Sequence, residues 1–494
     1  MKFLLVLIVM IIPFAGISQT TFRVQFGTAC NEIPSAITQK GDYYYVAYQC
    51  KPEPVTSLCD SYLIKLNANG EKVKEVHFDA ASDSGYYCIN KIVFLNDTEF
   101  LIFGCCRENS SEYGKFWIMK MDTALNIIWD KRYQTDNNYF VQTICVNKYG
   151  DESFLVGADL TTGPPDWYQK LVFLKTNNNG DSIAMTYFTQ GDPYTARLKA
   201  LTYIDNHFKI YTTGFGAFIP YYYGGLAIID FDTCFNIMGY SGIPHSISSY
   251  NYIENLNDSV YLLAGHTIIA GTGNSWDLAI AKYNLDNEDL GFNHYNYSQQ
   301  AREYPGWLKC LSVANGNSIY VGGWTNGDGY FICPYLDQVI VLVNYDSALN
   351  MRWARFYGGN ACYLSSIVQA TTDGGCIIGG MYYDPSNPDN LQDALIIKVD
   401  SLGLVTDVPG TATISSHDVI LYPNPFHDYF VIQSGPQIAG AWFRMYDVTG
   451  CLIIERKIND TYLQQDMTGS PSGIYIWQVI KDGKLIENGN LIKN

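Results

Sequence analysis

An apolar run closed by glycine or another small residue recurs seven times in this chain. The closing positions are Ala47, Gly104, Gly157, Gly214, Gly265, Gly323 and Gly380, spaced 51 to 58 residues apart. A period of this length marks stacked copies of one supersecondary unit, because a single copy cannot bury its own apolar face. The fullest copy lies within residues 351–403. It holds four short runs rich in β-branched and aromatic residues, starting near Arg352, Tyr363, Cys376 and Ala394, each bounded by Gly, Asn, Asp or Ser. Asp373-Gly374-Gly375 between two of them predicts a hairpin turn, since a primed turn needs positive φ and glycine adopts it freely.

Two further landmarks share the period. Seven apolar runs lead into polar turns, such as the segments starting at Tyr62, Phe116 and Leu171. An aromatic-rich strand follows six of these turns, and the seventh such strand is FRVQFG at Phe22, before the first repeat. A ring of blades leaves two exposed edges unless its ends join. The offset therefore predicts that residues 22–27 close the ring by pairing with residues 394–400. A fourth strand precedes each glycine run, as at 88–94, 141–146 and 307–313. The expected fold is all-β: a seven-bladed β-propeller over residues 19–407, then a small C-terminal β-sandwich. Six or eight blades is the competing count.

The last repeat resembles a propeller family of exported bacterial proteins, through Trp353, Tyr357-Gly358-Gly359, Asp373-Gly374-Gly375, Gly380, Lys398, Asp400 and Gly403. That resemblance implies fold rather than function. Residues 408–418 form a linker rich in Gly, Ser and Thr, and residues 419–494 abandon the repeat. This tail resembles the C-terminal sorting domain of the type IX secretion system, subtype A. The matching residues are Tyr422-Pro423-Asn424-Pro425, Asp447 with Gly450, Gly473, Tyr475 and Lys493. The resemblance implies handling by the type IX translocon and sorting machinery, removal of the domain, and surface anchoring or release.

The N-terminus fits that route. In residues 1–18, Lys2 precedes an apolar run over 3–12, and Gly16-Ile17-Ser18 supplies small residues for cleavage, as in a secretory signal peptide. No later apolar run is long enough to span a membrane. The net charge of −17 argues against nucleic acid or an anionic membrane as partner. The 13 cysteines lie in the exported part, where disulfides are permitted. Cys30 with Cys50, and Cys88 with Cys105 or Cys106, sit at ends of neighbouring antiparallel strands and are expected to pair. Cys50 with Cys59 is the rival pairing.

No catalytic or metal set stands out. The seven histidines show no H-E-x-x-H or H-x-H spacing, G-x-S-x-G is absent, and no cofactor motif is present. The segments between the second and third strands carry aromatics: Trp167, Tyr168, Tyr221, Tyr222, Tyr223, Trp276, Tyr330, Phe331, Tyr335, Tyr382 and Tyr383. In a propeller these loops share one face, where aromatics stack on sugar rings or anchor a protein partner; capping of the blade ends explains them equally well. The chain thus reads as a glycan- or protein-binding module. The alternative is a polysaccharide hydrolase or lyase, which needs paired carboxylates in the central channel, with Asp159, Asp192, Asp328 and Asp384 as candidates.

Overall fold

A computed structural model describes residues 20–493 apart from 29, 53–58, 80–84, 109–113, 136–138, 151, 163–168, 189–196, 205–206, 214–225, 243–248, 269–275, 297–301, 315–316, 326–337, 359–360, 385–390, 406–412, 416–418, 423–425, 435–437, 461 and 482–483. The signal-peptide segment therefore lies outside the described residues. The rest is all-β. The first sheet runs Cys30–Lys40, Tyr43–Pro52, Asp60–Leu66, Lys72–Phe78, each strand antiparallel to the next. The second starts at Tyr86–Phe94, the third at Tyr139–Tyr149, the fourth at Arg197–Ile204 and the fifth at Ser249–Asn257, all with the same order. The sixth is built on Ser318–Trp324, Ile340–Tyr345 and Met351–Tyr357. The seventh consists of Cys362–Ala370, Cys376–Tyr383 and Asp393–Val399, and its fourth strand is Phe22–Phe26 from the other end of the chain. The register pairs Phe22 with Lys398 and Phe26 with Ala394.

Each sheet buries both faces against its neighbours, which is why the strands read as nearly continuous apolar runs. One cluster joins the first and second sheets through Tyr45, Leu63, Ile89 and Trp117. Another joins the second and third through Phe103, Phe116, Phe154 and Val172. The series continues through Leu201 and Phe173, Tyr211 and Tyr261, Leu278 and Val343, and Tyr320 and Ile378. Phe22, Tyr44, Ile64 and Ile396 then join the seventh sheet to the first. The first strand of each sheet packs on the first strands of its neighbours around the centre. This arrangement is a β-propeller.

One turn is repeated between the third and fourth strands. It comprises Asn67–Glu71, Asp122–Asn126, Asn177–Asp181, Asp232–Asn236, Asn284–Glu288, Asp346–Asn350 and Asp400–Leu404. The first side chain accepts from the amides two and four residues on, as Asp346 does from Ala348 and Asn350 at 2.9 Å each. The fourth residue takes positive φ: Gly70, Leu125, Gly180, Phe235, Asn287, Leu349 and Gly403. Leu125 and Leu349 are buried there, so core packing offsets the left-handed backbone. Where this fourth residue is glycine, the outer strand of the preceding sheet lies against it. Trp129 covers Gly180 and Trp353 covers Gly403. Trp353 Nε1 donates to Ser401 O at 3.1 Å and Tyr357 Oη to Gly403 O at 2.9 Å. Trp353, Tyr357 and Gly403 of the last repeat thus form an inter-sheet clasp. Lys398, fully buried, completes it locally through Asp373 Oδ2 at 2.8 Å.

Gly180→Ala should therefore destabilise the ring by about 1–3 kcal/mol, since an added Cβ would meet the Trp129 indole at a φ of +72°. Chemical denaturation of the full chain reads this, and an unchanged midpoint would refute the clasp.

Three details differ from expectation. The inner strand of the sixth sheet is split into Tyr304–Pro305 and Leu311–Ala314, with an insertion between them. Thr413–Ser415, expected as linker, pairs with the outer edge of Met351–Tyr357 and so covers an open strand edge. The disulfides also divide. Cys30 and Cys50 are bonded, with Cα atoms 5.6 Å apart, whereas Cys59, Cys88, Cys105 and Cys106 are free. Cys88 sits opposite Cys105 in register, but its thiol is shared in hydrogen bonds with both Cys105 and Cys59. Cys106 lies on the opposite face of the sheet, in the core toward the first sheet. Cys362, not expected to pair, is disulfide-bonded.

The C-terminal unit is a β-sandwich. A three-stranded sheet, Val419–Tyr422, Tyr429–Ser434 and Tyr462–Asp466, faces a four-stranded one ordered Leu452–Lys457, Trp442–Tyr446, Gly473–Lys481, Lys484–Lys493. Phe426, Phe430, Phe443, Trp477 and Leu491 fill the space between them.

Candidate functional site

One end of the ring collects aromatic side chains from the ends of second strands and the starts of third and first strands. His266, near the end of Val260–Ile268, stacks on Trp276 at 4.5 Å between ring centroids and an interplanar angle of 3°. Trp276 meets Tyr304 at 4.8 Å, and Tyr304 stacks on Trp324 at 5.5 Å. The Arg302 guanidinium lies 5.4 Å from the Trp276 ring. Burial holds the His266 imidazole down to about 4, so it is neutral against Trp276 at neutral pH. Trp324 then joins Ile33, Leu364 and Met381, against which Tyr304, Trp307 and Tyr383 pack half-buried. The result is a belt of rings from the fifth sheet to the seventh.

Of the aromatics expected on this face, Trp276 and Tyr383 belong to the belt. Tyr382 instead meets Tyr363 edge-on at 5.2 Å, beside Arg23, whose Nη2 donates to Tyr363 Oη at 3.0 Å. Trp167, Tyr168, Tyr221, Tyr222, Tyr223, Tyr330, Phe331 and Tyr335 lie outside the described residues. The sequence reading missed His266, Tyr304 and Trp324. His266 and Trp324 lie one residue past Gly265 and Gly323, so their offset from the glycine landmark was the available signal.

Two of the four candidate carboxylates, Asp159 and Asp384, fall among the described residues. Asp159 is buried on the second strand of its sheet and accepts the Leu198 amide at 2.6 Å, fixing the start of the next inner strand. Asp384 lies 3.4 Å from Tyr382 Oη. Asp192 and Asp328 fall outside the described residues.

In the C-terminal sandwich the motif residues build backbone geometry. Asp447 Oδ1 accepts the Thr449 and Cys451 amides at 2.9 Å each, and Gly450 takes a φ of +83° to close the turn. The Thr449 hydroxyl first, and then those amides, hold the Asp447 carboxyl below its usual range. Gly473 pairs with Lys493, placing the chain's penultimate residue beside the sandwich's longest inner strand. Tyr475 is buried and donates to Pro471 O at 2.6 Å. Tyr422 pairs with Val431, while Pro423, Asn424 and Pro425 fall outside the described residues. The outer face of the four-stranded sheet exposes Trp442, Ile474, Ile476 and Ile492, with Ile474 directly opposite Ile492.

Residues 420–493 match the secretion system C-terminal sorting domain. This tail marks the chain for the type IX machinery, and so for the cell surface or the medium. Among the described residues no helix is long and apolar enough to cross a membrane. No curated protein matches the chain at a significant level. Similar solved structures include the acylaminoacyl peptidase of Pyrococcus horikoshii, at 9% identity and a TM-score of 0.41, covering 81% of this chain and 57% of that one. The WD40 domain of SCAP from fission yeast is 10% identical with a TM-score of 0.38, covering 77% and 98%. A DUF4221 family member from Bacteroides vulgatus is 8% identical with a TM-score of 0.36, covering 77% and 96%. This chain spans little more than half the length of the peptidase.

Proposed function

We propose that this protein is a type IX-exported surface or secreted binding module whose aromatic face holds a glycan or protein ligand. We infer its organisation as a removable signal over residues 1–18, a seven-bladed ring over 19–407 closed by its N-terminal strand, and a sorting tail over 419–494. The observation that carries the binding reading is the continuous run His266, Trp276, Tyr304 and Trp324 reaching Tyr383. Half-buried rings grouped at one end of the ring supply large contact area at low entropic cost, with edges left for a ligand. A purely structural cap would bury such rings; Trp276, Tyr304 and Tyr383 are each partly accessible.

A glycan array probed with the mature chain tests this reading, alongside capture of proteins from the producing cell's surface. Trp276→Ala and Tyr383→Ala are each expected to weaken the ligand found by about ten-fold or more while leaving the fold intact. Binding unaffected by both substitutions would overturn the belt as the site.

A further inference from the structure

Three sheets place an aspartate at the start of their third strand: Asp60 in the first, Asp277 of Trp276–Asn284 in the fifth and Asp393 in the seventh. Each stands seven residues before the Asn67, Asn284 or Asp400 that opens the following turn. The register brings two outer-strand positions, two residues apart and on one face, beside each aspartate. They hold His77 and Asp79, His294 and Asn296, and Gln25 and Gly27. In the fifth sheet the set is closed: His294 Nδ1 lies 2.7 Å from Asp277 Oδ2, and Asn296 Nδ2 donates to Asp277 Oδ1 at 2.6 Å. In the seventh, Gln25 Nε2 donates to Asp393 Oδ2 at 2.5 Å, and a Cβ at Gly27 would strike the same carboxylate. The first sheet departs in one residue. His77 Nε2 lies 2.8 Å from Asp60 Oδ2, but Asp79 stands where the fifth sheet has Asn296. A carboxylate cannot donate, so two negative side chains face each other across the strand pair, which by itself destabilises a sheet.

We propose that Asp60, His77 and Asp79 are ligands of a divalent transition-metal cation, zinc by preference, on the outer strand pair of the first sheet. One ligand atom of each residue lies within 4.8 Å of the other two. Tetrahedral zinc with bonds of about 2.0–2.2 Å brings its donors to about 3.3–3.6 Å from one another. Small rotations reach that spacing, since His77 and Asp79 are exposed and Asp60 is half-buried. The cation supplies the positive charge that the Asn296 amide makes unnecessary in the fifth sheet.

The imidazole is held ready. His77 stacks on Tyr62 at 4.2 Å and 7°, and Tyr62 stacks on the buried Tyr48 at 4.9 Å and 3°. Asp60 pairs with Cys50, whose disulfide to Cys30 ties that strand end to its neighbour. Ligands fixed by packing of this kind lose little freedom when a metal binds. The local field also favours a cation: burial first, then Asp60, Glu75, Glu32 and Asp79, raises the Tyr62 phenol above its ordinary value. One imidazole and two carboxylates suit zinc better than magnesium or calcium, which take oxygen shells. Three protein ligands leave coordination positions for water or for an oxygen of a bound partner.

Calorimetric titration of the metal-stripped, full mature chain with zinc, and separately with magnesium, tests the site. Saturable zinc binding is expected, tighter than that of magnesium. Asp79→Asn and His77→Ala should each weaken it about ten-fold or more, since changes behind a ligand already reach that size. Asp79→Asn also serves as the folding control. It reproduces the set of the fifth sheet and removes a like-charge pair, so without metal it should melt at least as high as the parent. With excess zinc only the parent should gain in melting temperature. A cobalt(II) spectrum free of thiolate charge transfer separates this site from free thiols such as Cys59. Zinc bound equally by the parent and both variants, magnesium bound as tightly as zinc, or no binding of either ion would overturn the proposal.

Discussion

Removing residues 20–27 is expected to lower the melting temperature on the order of 10 °C and to drive the protein into oligomers. Phe22 is 5% exposed and its ring lies over Gly70, where no Cβ would fit. It meets Tyr44 edge-on at 5.5 Å, while Phe26 stacks on Tyr48 at 6.3 Å. Full burial of Phe22 with partial burial of Val24 and Phe26 contributes about 5 kcal/mol. The same strand satisfies the outer edge of Asp393–Val399 through five registered pairs and brings Arg23 to Tyr363. Without it, that edge is a template for a second molecule. Phe22→Ala is the milder version and should cost about 3 kcal/mol. Scanning calorimetry and light scattering read both effects. A deletion variant that stays monomeric and melts like the parent would show that the ring does not depend on its closing strand.

The architecture was legible because it is written in backbone requirements. A glycine at 104, 323 or 380 sits where a Cβ would strike the carbonyl of the neighbouring inner strand, at Cys88, Tyr304 or Leu364. The polar turns were legible because an Asn or Asp must cap two amides in each. Leu125, Phe235 and Leu349 were harder to read, since an apolar residue at positive φ carries no local signature. The belt was half visible. Trp276 and Tyr383 stood in loops already singled out, but Tyr304 and Trp307 belong to the segment that crosses from the fifth sheet to the sixth, where the repeat itself breaks. The thiols mark the same limit: spacing put Cys88 beside Cys105, but only the packed structure shows Cys59 competing for it.

Truncation before residue 419 is expected to leave the propeller folded, with a melting temperature within a few degrees of the parent, and to abolish delivery to the surface and the medium. Folding should survive because the two units have separate cores. The sandwich core of Phe426, Phe443, Trp477 and Leu491 includes no propeller residue, and the seven inter-sheet clusters include none from the sandwich. Delivery should fail because residues 420–493 carry the sorting match. The exposed quartet Trp442, Ile474, Ile476 and Ile492 refines the experiment. An apolar sheet face left open to water is a docking surface or an aggregation liability. Ile474→Asp with Ile476→Asp keeps the buried core intact, since alternate residues of Gly473–Lys481 point away from it. If the machinery reads that face, the double variant should accumulate in the periplasm in folded form, matching the truncation. If the variant is delivered normally while the truncation is not, recognition lies in the turn of Asp447 and Gly450 or at Lys493, and Asp447→Ala becomes the discriminating substitution. Normal delivery of the truncated chain itself would remove the tail from the export route altogether.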